Sequence, residues 1–200
     1  TGALGTNDMN DYSSPVSVVG GHTFTKISSG NQSRSLALDD SGLAWTWGNN
    51  GYGGLGDGTS NNRSSPVAVV GGHVFVDVTN HFAGSHMLAL DSTGKAWAWG
   101  AYNSGQLGTN DGTNYSSPVT VVGGHIFTKL QTGRYHSLAL DTSGQAWVWG
   151  SNSQGQLGNN DSGNNQSSPV SVVGGHTFVD IATQNYGSMG LDNVGVWWAW

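Results

Sequence analysis

The chain repeats one series of motifs four times, and this repetition limits its fold more than any other feature. Ser-Ser-Pro occurs at 13–15, 64–66, 116–118 and 167–169, and Gly-Gly-His ends at His22, His73, His125 and His176. Gly-x-Leu-Gly, Leu-Ala-Leu-Asp (weaker in the fourth copy) and Trp-x-Trp return in the same order, 50 to 52 residues apart. Such a period is typical of propellers and solenoids. We therefore expect one domain over residues 1–200, in units of approximately 1–47, 48–99, 100–149 and 150–200.

Each unit has the pattern of β structure. Residues 15–19 alternate apolar and polar side chains, and residues 73–78, 138–140 and 146–149 have the composition of further strands. Asp141-Thr142-Ser143-Gly144 lies between two of them, and Asp at the first and Gly at the fourth position suit a type I hairpin turn. The density of Gly, Asn and Ser disfavours helices. The sequence predicts an all-β chain with a four-stranded antiparallel sheet in each unit.

Strand periodicity also predicts which side chains share a face. Residues i and i+2 point the same way, so Trp45 and Trp47 share a face, as do Leu36 and Leu38. We expect these large side chains to form a bulky face, with Ala37 and its counterparts on a shallow one. The bulky face of one sheet would then pack against the shallow face of the next copy. The paired tryptophans are interpreted as buried packing residues and not as an aromatic ligand cage.

Four motifs resemble the RCC1 repeat (regulator of chromosome condensation). In the third unit they are Gly105–Gly108, Ser116–Val119, His136–Leu140 and Gly144–Gly150. The resemblance implies a β-propeller, which in that family usually has seven blades. Four units allow either a closed four-blade ring or part of a larger propeller.

The ends of the sequence bear on that choice. The chain starts without Met and stops inside a Trp-x-Trp motif, so we expect a fragment of a longer chain. The distance between Thr1 and Trp200 would separate a closed ring from an open piece.

Composition excludes several kinds of partner and chemistry. Six Lys and Arg residues face twelve Asp and no Glu, a formal net charge of -6, which predicts no nucleic-acid partner. The absence of Cys excludes disulfides, thiolate nucleophiles and Cys-ligated zinc. No apolar run is long enough for a membrane helix, so no membrane insertion is expected.

Two sets of residues are candidates for ligand binding. The four His after Gly-Gly could form a ring of metal ligands, but we favour packing in a turn. The loops after Gly-x-Leu-Gly carry Asp8, Asp57, Asp111 and Asp161, which we predict as binding residues on a loop face. Calcium is a weaker alternative for these loops, because their spacing does not match a calcium loop. No catalytic motif is found, so we expect neither an enzyme, a cofactor nor a bound metal.

The predicted function is a non-catalytic binding or scaffold propeller, with a protein partner or self-assembly. An extracellular, surface, virion or filament setting is expected, although a cytoplasmic one stays open. The RCC1 resemblance implies one alternative, a guanine-nucleotide exchange factor for a small GTPase. A lectin-like or inhibitory propeller is another. Asn-x-Ser/Thr sequons, which allow glycans in a secreted eukaryotic protein, stand at Asn31, Asn62, Asn114, Asn160 and Asn165.

Overall fold

The computed structural model describes residues 2–30, 33–161 and 163–200, and within them the chain is all-β, as predicted. Four antiparallel sheets hold these strands, paired in chain order. The predicted four strands are present in the first three sheets, whereas the fourth has three, and the strand predicted at residues 15–19 is not formed. The first sheet contains β1 (Phe24–Gly30), β2 (Arg34–Asp39), β3 (Ala44–Gly48) and β4 (Arg63–Ala68). The second contains β5 (Phe75–Asn80), β6 (His86–Asp91), β7 (Ala96–Gly100) and β8 (Tyr115–Thr120). The third contains β9 (Phe127–Thr132), β10 (His136–Asp141), β11 (Ala146–Gly150) and β12 (Gln166–Ser171). The fourth contains β13 (Phe178–Thr183), β14 (Ser188–Asp192) and β15 (Trp197–Ala199).

Helical structure in the described residues amounts to one 3-10 turn, Gly51–Gly53. None of the described helical structure has the length and apolar character needed to span a membrane.

The Asp-x-x-Gly segment closes the hairpin between the second and third strands of each sheet. In the first sheet, Asp39 Oδ1 accepts the backbone N–H groups of Ser41 and Leu43, both at 3.0 Å. Its Oδ2 accepts the indole N–H of Trp45 at 2.8 Å. Gly42 completes the turn at φ +81°, where residues with a side chain are strained. Asp91, Asp141 and Asp192 repeat these contacts, so the predicted hairpin turn is confirmed.

The predicted distribution of side chains between the two faces is wrong in one respect. Across the first hairpin, Ala37 lies opposite Trp45, and Leu38 lies opposite Ala44. Because directly opposed residues share a face, the tryptophans lie with Ala37, and the leucines lie on the other side with Ala44. The Trp face of the second, third and fourth sheets packs on the Leu face of the sheet before it. Both faces are therefore bulky, and a large side chain on one meets an alanine on the other.

The tryptophans confirm the packing interpretation within the series of sheets and depart from it at the last one. Trp99 and Trp149 have no exposed surface, and Trp47 is buried. In the fourth pair, Trp198 is 38% exposed. Trp197, which belongs to no pair, lies opposite Leu191 on the Leu face of the last sheet and is 51% exposed. Burial of the tryptophans is therefore most complete in the second and third sheets, which lie between two others.

The sheets stack as an open series. The first strands contact one another in the order β1, β5, β9 and β13, which makes them the inner edge. Ile27 on β1 is 79% exposed, whereas its counterpart Ile181 on β13 is 1% exposed. The described residues therefore leave one face of the first sheet uncovered, which a closed ring of four sheets would bury. Thr1, whose distance to Trp200 we proposed as a criterion, lies outside the described residues.

A buried polar contact joins successive sheets beside the inner edge. At the second junction, between the second and third sheets, His86 Nε2 lies 2.9 Å from Ser137 Oγ, and Ser137 donates to the Gln106 carbonyl at 2.8 Å. The serine proton is engaged there, so Nε2 carries the histidine proton and donates it. The third junction repeats the arrangement with His136, Ser188 and Gln156.

The first junction is different. Buried Arg34 takes the histidine position and donates to the carbonyls of Asn49 at 2.8 Å and Gly51 at 3.2 Å. Met87 takes the position of the serine, and Gly54 takes the position of the glutamine. A Cβ atom on Gly54 would lie 2.4 Å from Arg34 Cζ. The guanidinium therefore needs a glycine at this position.

Candidate protein-binding site

The predicted binding residues lie in four separate loops, and their carboxylates are occupied by neighbours in those loops. Asp8 accepts the hydroxyl groups of Tyr12 and Thr6, both at 2.7 Å, and these hydrogen bonds lower the pKa of the Asp8 carboxyl. Asp111 accepts the hydroxyl of Tyr115 at 2.5 Å. Each of these aspartates thus holds the shape of its own loop.

The other two predicted aspartates are also used locally. Asp57 is buried and accepts from Arg63 Nε at 2.7 Å and from Asn50 Nδ2 at 3.0 Å. Asp161 accepts from Asn164 Nδ2 at 2.8 Å. Within the described part of the chain, no three His, Asp, Glu or Cys side chains lie close enough together to hold a metal ion. A partner-binding role for the four aspartates stays a prediction.

The four histidines after Gly-Gly are packing residues, as favoured from the sequence. Each ring lies against the first tryptophan of its own Trp-x-Trp pair, with ring centroids 3.7 to 3.9 Å apart. The phenylalanine two residues later lies against the same histidine. The equivalent spacing of these histidines thus reflects a repeated aromatic contact and not a shared ligand.

Three sequon asparagines also have a repeated structural contact. The Oδ1 atoms of Asn62, Asn114 and Asn165 each accept a backbone N–H, from Asn50, Tyr102 and Asn152 respectively. Asn31 lies outside the described residues, as does Ser162 of the Asn160 sequon. Glycosylation stays a prediction.

The loops between the first and second strands form the strongest candidate for a binding site. Residues 81–85, 133–135 and 184–187 connect these strands in the second, third and fourth sheets. They carry five side chains that we call the inner-loop cluster: His81, Phe82, Arg134, Tyr135 and Tyr186. Aromatic residues and Arg are the types enriched at the centres of protein–protein interfaces.

The inner-loop cluster combines exposed aromatic rings with an ordered cation. Phe82 is 57% exposed and Tyr186 is 45% exposed. Arg134 Nη1 donates to the Tyr186 hydroxyl at 2.6 Å. Its guanidinium carbon lies 5.0 Å from the ring centre of Tyr135 and 5.6 Å from that of Tyr186. The rings hold the guanidinium in place without neutralising its charge.

A cavity of about 580 Å³ lies beside Arg134, between loops of the second and fourth sheets. Its lining residues are His81, Phe82, Thr183, Gln184, Asn185, Tyr186 and Gly187. The Asn185 Oδ1 atom is buried without a hydrogen-bond partner in the described structure. Burial and the charge of Arg134 lower the pKa of His81. The site therefore offers apolar walls, amide groups and a neutral imidazole next to a guanidinium.

Other cations of the chain differ from Arg134 in their surroundings. Lys26 pairs with Asp77, and Lys129 pairs with Asp180, in both cases between first strands of neighbouring sheets. Arg63 pairs with Asp57. Among the residues that the structure covers, Arg134 forms no ion pair with a carboxylate.

The sequence prediction missed the inner-loop cluster, although a signal for it was present. The hairpins and the Gly-Gly-His segments are nearly identical between units, whereas the loop before the second strand reads Asn-His-Phe-Ala-Gly-Ser, Thr-Gly-Arg-Tyr and Thr-Gln-Asn-Tyr-Gly in successive units. Comparison of the units column by column for their differences would have pointed to these positions. Variable loops on a constant scaffold are where binding residues concentrate.

Antiparallel sheets of this kind, stacked about an inner edge of first strands, are the blades of a β-propeller. Models of the Regulator of chromosome condensation (RCC1) repeat match residues 41–90, 93–140 and 143–191, with further matches at 24–53 and 127–156. The chain belongs to the RCC1-repeat family.

Two human proteins are similar in sequence. E3 ubiquitin-protein ligase HERC2 is 36% identical over 103 residues, which cover 50% of this chain and 2% of that protein. Protein RCC2 is 32% identical over 111 residues, which cover 54% of this chain and 21% of that protein.

The fold is similar to that of Prp20p from Saccharomyces cerevisiae, with a TM-score of 0.78 and 20% identity. That similarity covers 92% of this chain and 47% of the yeast chain. The chain thus spans less than a third of these curated relatives and about half of the yeast structure.

Proposed function

We propose that this chain is a non-catalytic protein-binding module, in which constant blades hold variable inner loops that contact a protein partner. The observation that carries the proposal is the inner-loop cluster. Phe82, Tyr186 and Arg134 gather on the tips of consecutive blades, with the aromatic rings exposed and the cation unpaired. A few such anchors supply most of the binding energy in protein interfaces.

Similarity to relatives supports the proposal at a coarser level. The crystal structure of yeast Prp20p is described together with its binding to Gsp1p and histones, which are proteins. At 20% identity, this likeness supports the fold and leaves the partner of the present chain to experiment. The extracellular or surface setting expected from composition is likewise a prediction for experiment.

Affinity capture with matched variants tests the proposal. The wild-type chain, Phe82→Ala/Tyr186→Ala and the control Val74→Ala/Val76→Ala would be immobilised, and the retained proteins identified by mass spectrometry. The control removes two side chains that are similarly exposed, at 54% and 53%, and lie outside the cluster. We expect a set of proteins retained by wild type and control and lost from the cluster variant. Equal retention by all three would contradict the proposal.

Guanine-nucleotide exchange is a second candidate function, favoured by the family and by the fold shared with a Gsp1p-binding protein. Release of labelled GDP from small GTPases would be followed with and without the chain. Acceleration that is lost in Arg134→Glu would favour this function. If GDP release with the chain present equals the rate without it, the chain has no exchange activity toward these GTPases, and the proposal of a binding module is unaffected.

The lectin-like alternative has less support from the structure. Sugar stacking would use paired tryptophans open to solvent, but Trp99 and Trp149 are completely buried. Their indole N–H groups are engaged with loop carbonyls, at 3.2 Å to Gly54 and 2.8 Å to Gln106. A glycan array would test the remaining exposed Trp197 and Trp198.

A further inference from the structure

We propose that the inner-loop cluster recognises an acidic segment of its protein partner, with a carboxylate at Arg134 and an apolar side chain on Phe82. This inference rests on the proposed function and specifies the chemistry of the partner at the same site.

Among the described residues, no carboxylate forms an ion pair with the guanidinium of Arg134. Arg134 Nε is buried without a hydrogen-bond partner in the described structure, and Nη1 is held by the Tyr186 hydroxyl. Two aromatic rings within 5.6 Å fix the plane of the group. A planar, pre-oriented guanidinium matches the two oxygens of a carboxylate better than any other common protein group.

His81 supplies a second donor near the same place. Its Nδ1 accepts the backbone N–H of Ala83 at 3.1 Å, so in the neutral ring the proton sits on Nε2. His81 is 8% exposed and lines the cavity. A ligand that placed its carboxylate at Arg134 and extended into the cavity would thus meet a further N–H donor in the cavity wall.

The apolar part of the ligand is indicated by Phe82. Its ring lies 4.5 Å from the His81 ring, on the wall of the cavity, and more than half of it is exposed. Asn185 Oδ1, also in the lining, is a buried acceptor without a donor. A short peptide has a backbone N–H for that acceptor, a carboxylate for Arg134 and a side chain for Phe82.

The charge of the whole chain disfavours an acidic ligand over most of its surface. The formal net charge is -6, so most of the surface repels an anionic segment. The lysines at the inner edge are already paired with Asp77 and Asp180. A nucleic acid would need several phosphate contacts along its backbone, and one guanidinium beside a neutral imidazole does not provide them.

The test uses fluorescence anisotropy with synthetic twelve-residue peptides. One set contains Asp or Glu next to Leu or Phe, and a matched set has Asn or Gln in place of each acid. We expect the acidic peptides to bind at least about tenfold more tightly, since a charge-assisted hydrogen bond is roughly twice as strong as a neutral one. Raised salt should weaken only the acidic set.

Two variants with the same change of charge locate the effect. Arg134→Glu should abolish binding of the acidic set. Lys95→Glu should leave it unchanged, because Lys95 lies over the Trp97 ring at 4.9 Å, outside the cluster. Thermal unfolding of both variants confirms that they are folded.

Several outcomes would overturn the inference. They are equal affinity for acidic and amide peptides, equal effects of the two variants, or no binding of any acidic peptide to the wild-type chain. The inference would also be overturned if an oligonucleotide displaced the peptides, bound more tightly than they do, and lost its binding in Arg134→Glu. The affinity-capture experiment distinguishes this failure from failure of the proposed function. If the peptide test gives one of these outcomes but Phe82→Ala/Tyr186→Ala still loses the proteins that the wild type captures, the proposed function stands and only the acidic preference fails.

Discussion

The first and second junctions between blades solve the same packing problem with two different sets of three residues. At the second junction, an imidazole, a serine and a glutamine link the sheets, and the chain of hydrogen bonds runs from His86 through Ser137 to the Gln106 carbonyl. At the first, Arg34 occupies that space alone, beside a methionine and a glycine. The three positions lie far apart in sequence, yet they change together. We therefore expect the three residues of a junction to be replaceable together but not one at a time.

The largest effect that we expect is a difference in acid stability. A fall in pH should destabilise a junction that contains a buried histidine, and should leave the Arg34 junction unchanged. Burial lowers the pKa of His86 to about 3 and that of His136 to about 4, against an ordinary value of 6.5. Because the unfolded chain binds these protons more readily, the stability they represent is complete above pH 6.5 and is lost as pH falls toward 4. Arg34 stays charged throughout this range, since burial lowers its pKa only to about 10.

We expect the free energy of unfolding to fall by several kcal/mol between pH 6.5 and 4, because each pKa unit corresponds to about 1.4 kcal/mol. Urea titrations at a series of pH values would measure it, and His86→Asn should flatten the slope. A slope that His86→Asn leaves untouched would refute this account. The hairpin aspartates Asp39 and Asp141 have a lowered pKa, so the stability that they contribute is lost only at lower pH, below their ordinary pKa of 3.8.

Gly54→Gln should break the first junction. The new side chain displaces the buried guanidinium from its two carbonyl acceptors, which should cost about 3 kcal/mol. The reverse change, Gln106→Gly, removes the acceptor for the N–H groups of Asn103 and Ser104 and should cost about 1 kcal/mol. Chemical denaturation of both variants measures the difference.

The full exchange Arg34→His/Gly54→Gln/Met87→Ser sharpens that test. It converts the first junction into a copy of the second, so it should be more stable than Gly54→Gln alone. If the triple variant is no better, the three positions do not act as a set.

Ser137→Ala addresses the second junction alone. It leaves the His86 N–H without an acceptor in a buried site and should cost about 2 kcal/mol. The matched control is Ser35→Ala, whose hydroxyl donates to the Ala3 carbonyl at 3.1 Å and which should cost about 1 kcal/mol. Equal losses in thermal unfolding would mean that the histidine contact contributes nothing.

The smallest effect is expected on the face of the first sheet where the described residues form no junction. Ile27→Ala on the uncovered face should change stability by no more than about 0.5 kcal/mol. Ile181→Ala, at the same position in a complete junction, should cost about 2–5 kcal/mol. A large loss for Ile27→Ala would show that something covers this face in solution.

Much of the fold could be predicted because local signals and the repeat agree. The Asp-x-x-Gly turns, the strand pattern and the fourfold period each indicate β-sheets, and the all-β fold with four antiparallel sheets is confirmed. The strand predicted at residues 15–19 is not formed, and the fourth sheet has three strands instead of four. The division of Leu36 and Trp45 between the faces could not be predicted, since a shift of one residue in hairpin register exchanges the faces.

The site was less accessible to prediction because its residues come from different units. Nothing local to Arg134 indicates that Tyr186, 52 residues later, accepts its hydrogen bond. The predicted aspartates drew attention by being repeated, whereas the inner-loop cluster consists of residues that are not. In a chain of copies, repeated residues mark the scaffold, and the differences mark the candidate for recognition.

The ion pairs at the inner edge have a consequence for how such a chain avoids misassembly. Charge at this position alternates along the sheets as Lys26, Asp77, Lys129 and Asp180. If a sheet were skipped during folding, the first would stack on the third and bring two lysines together, or the second on the fourth with two aspartates. Like charges would penalise either error. Alternation thus gives near-identical modules a way to distinguish the adjacent partner from the one beyond it.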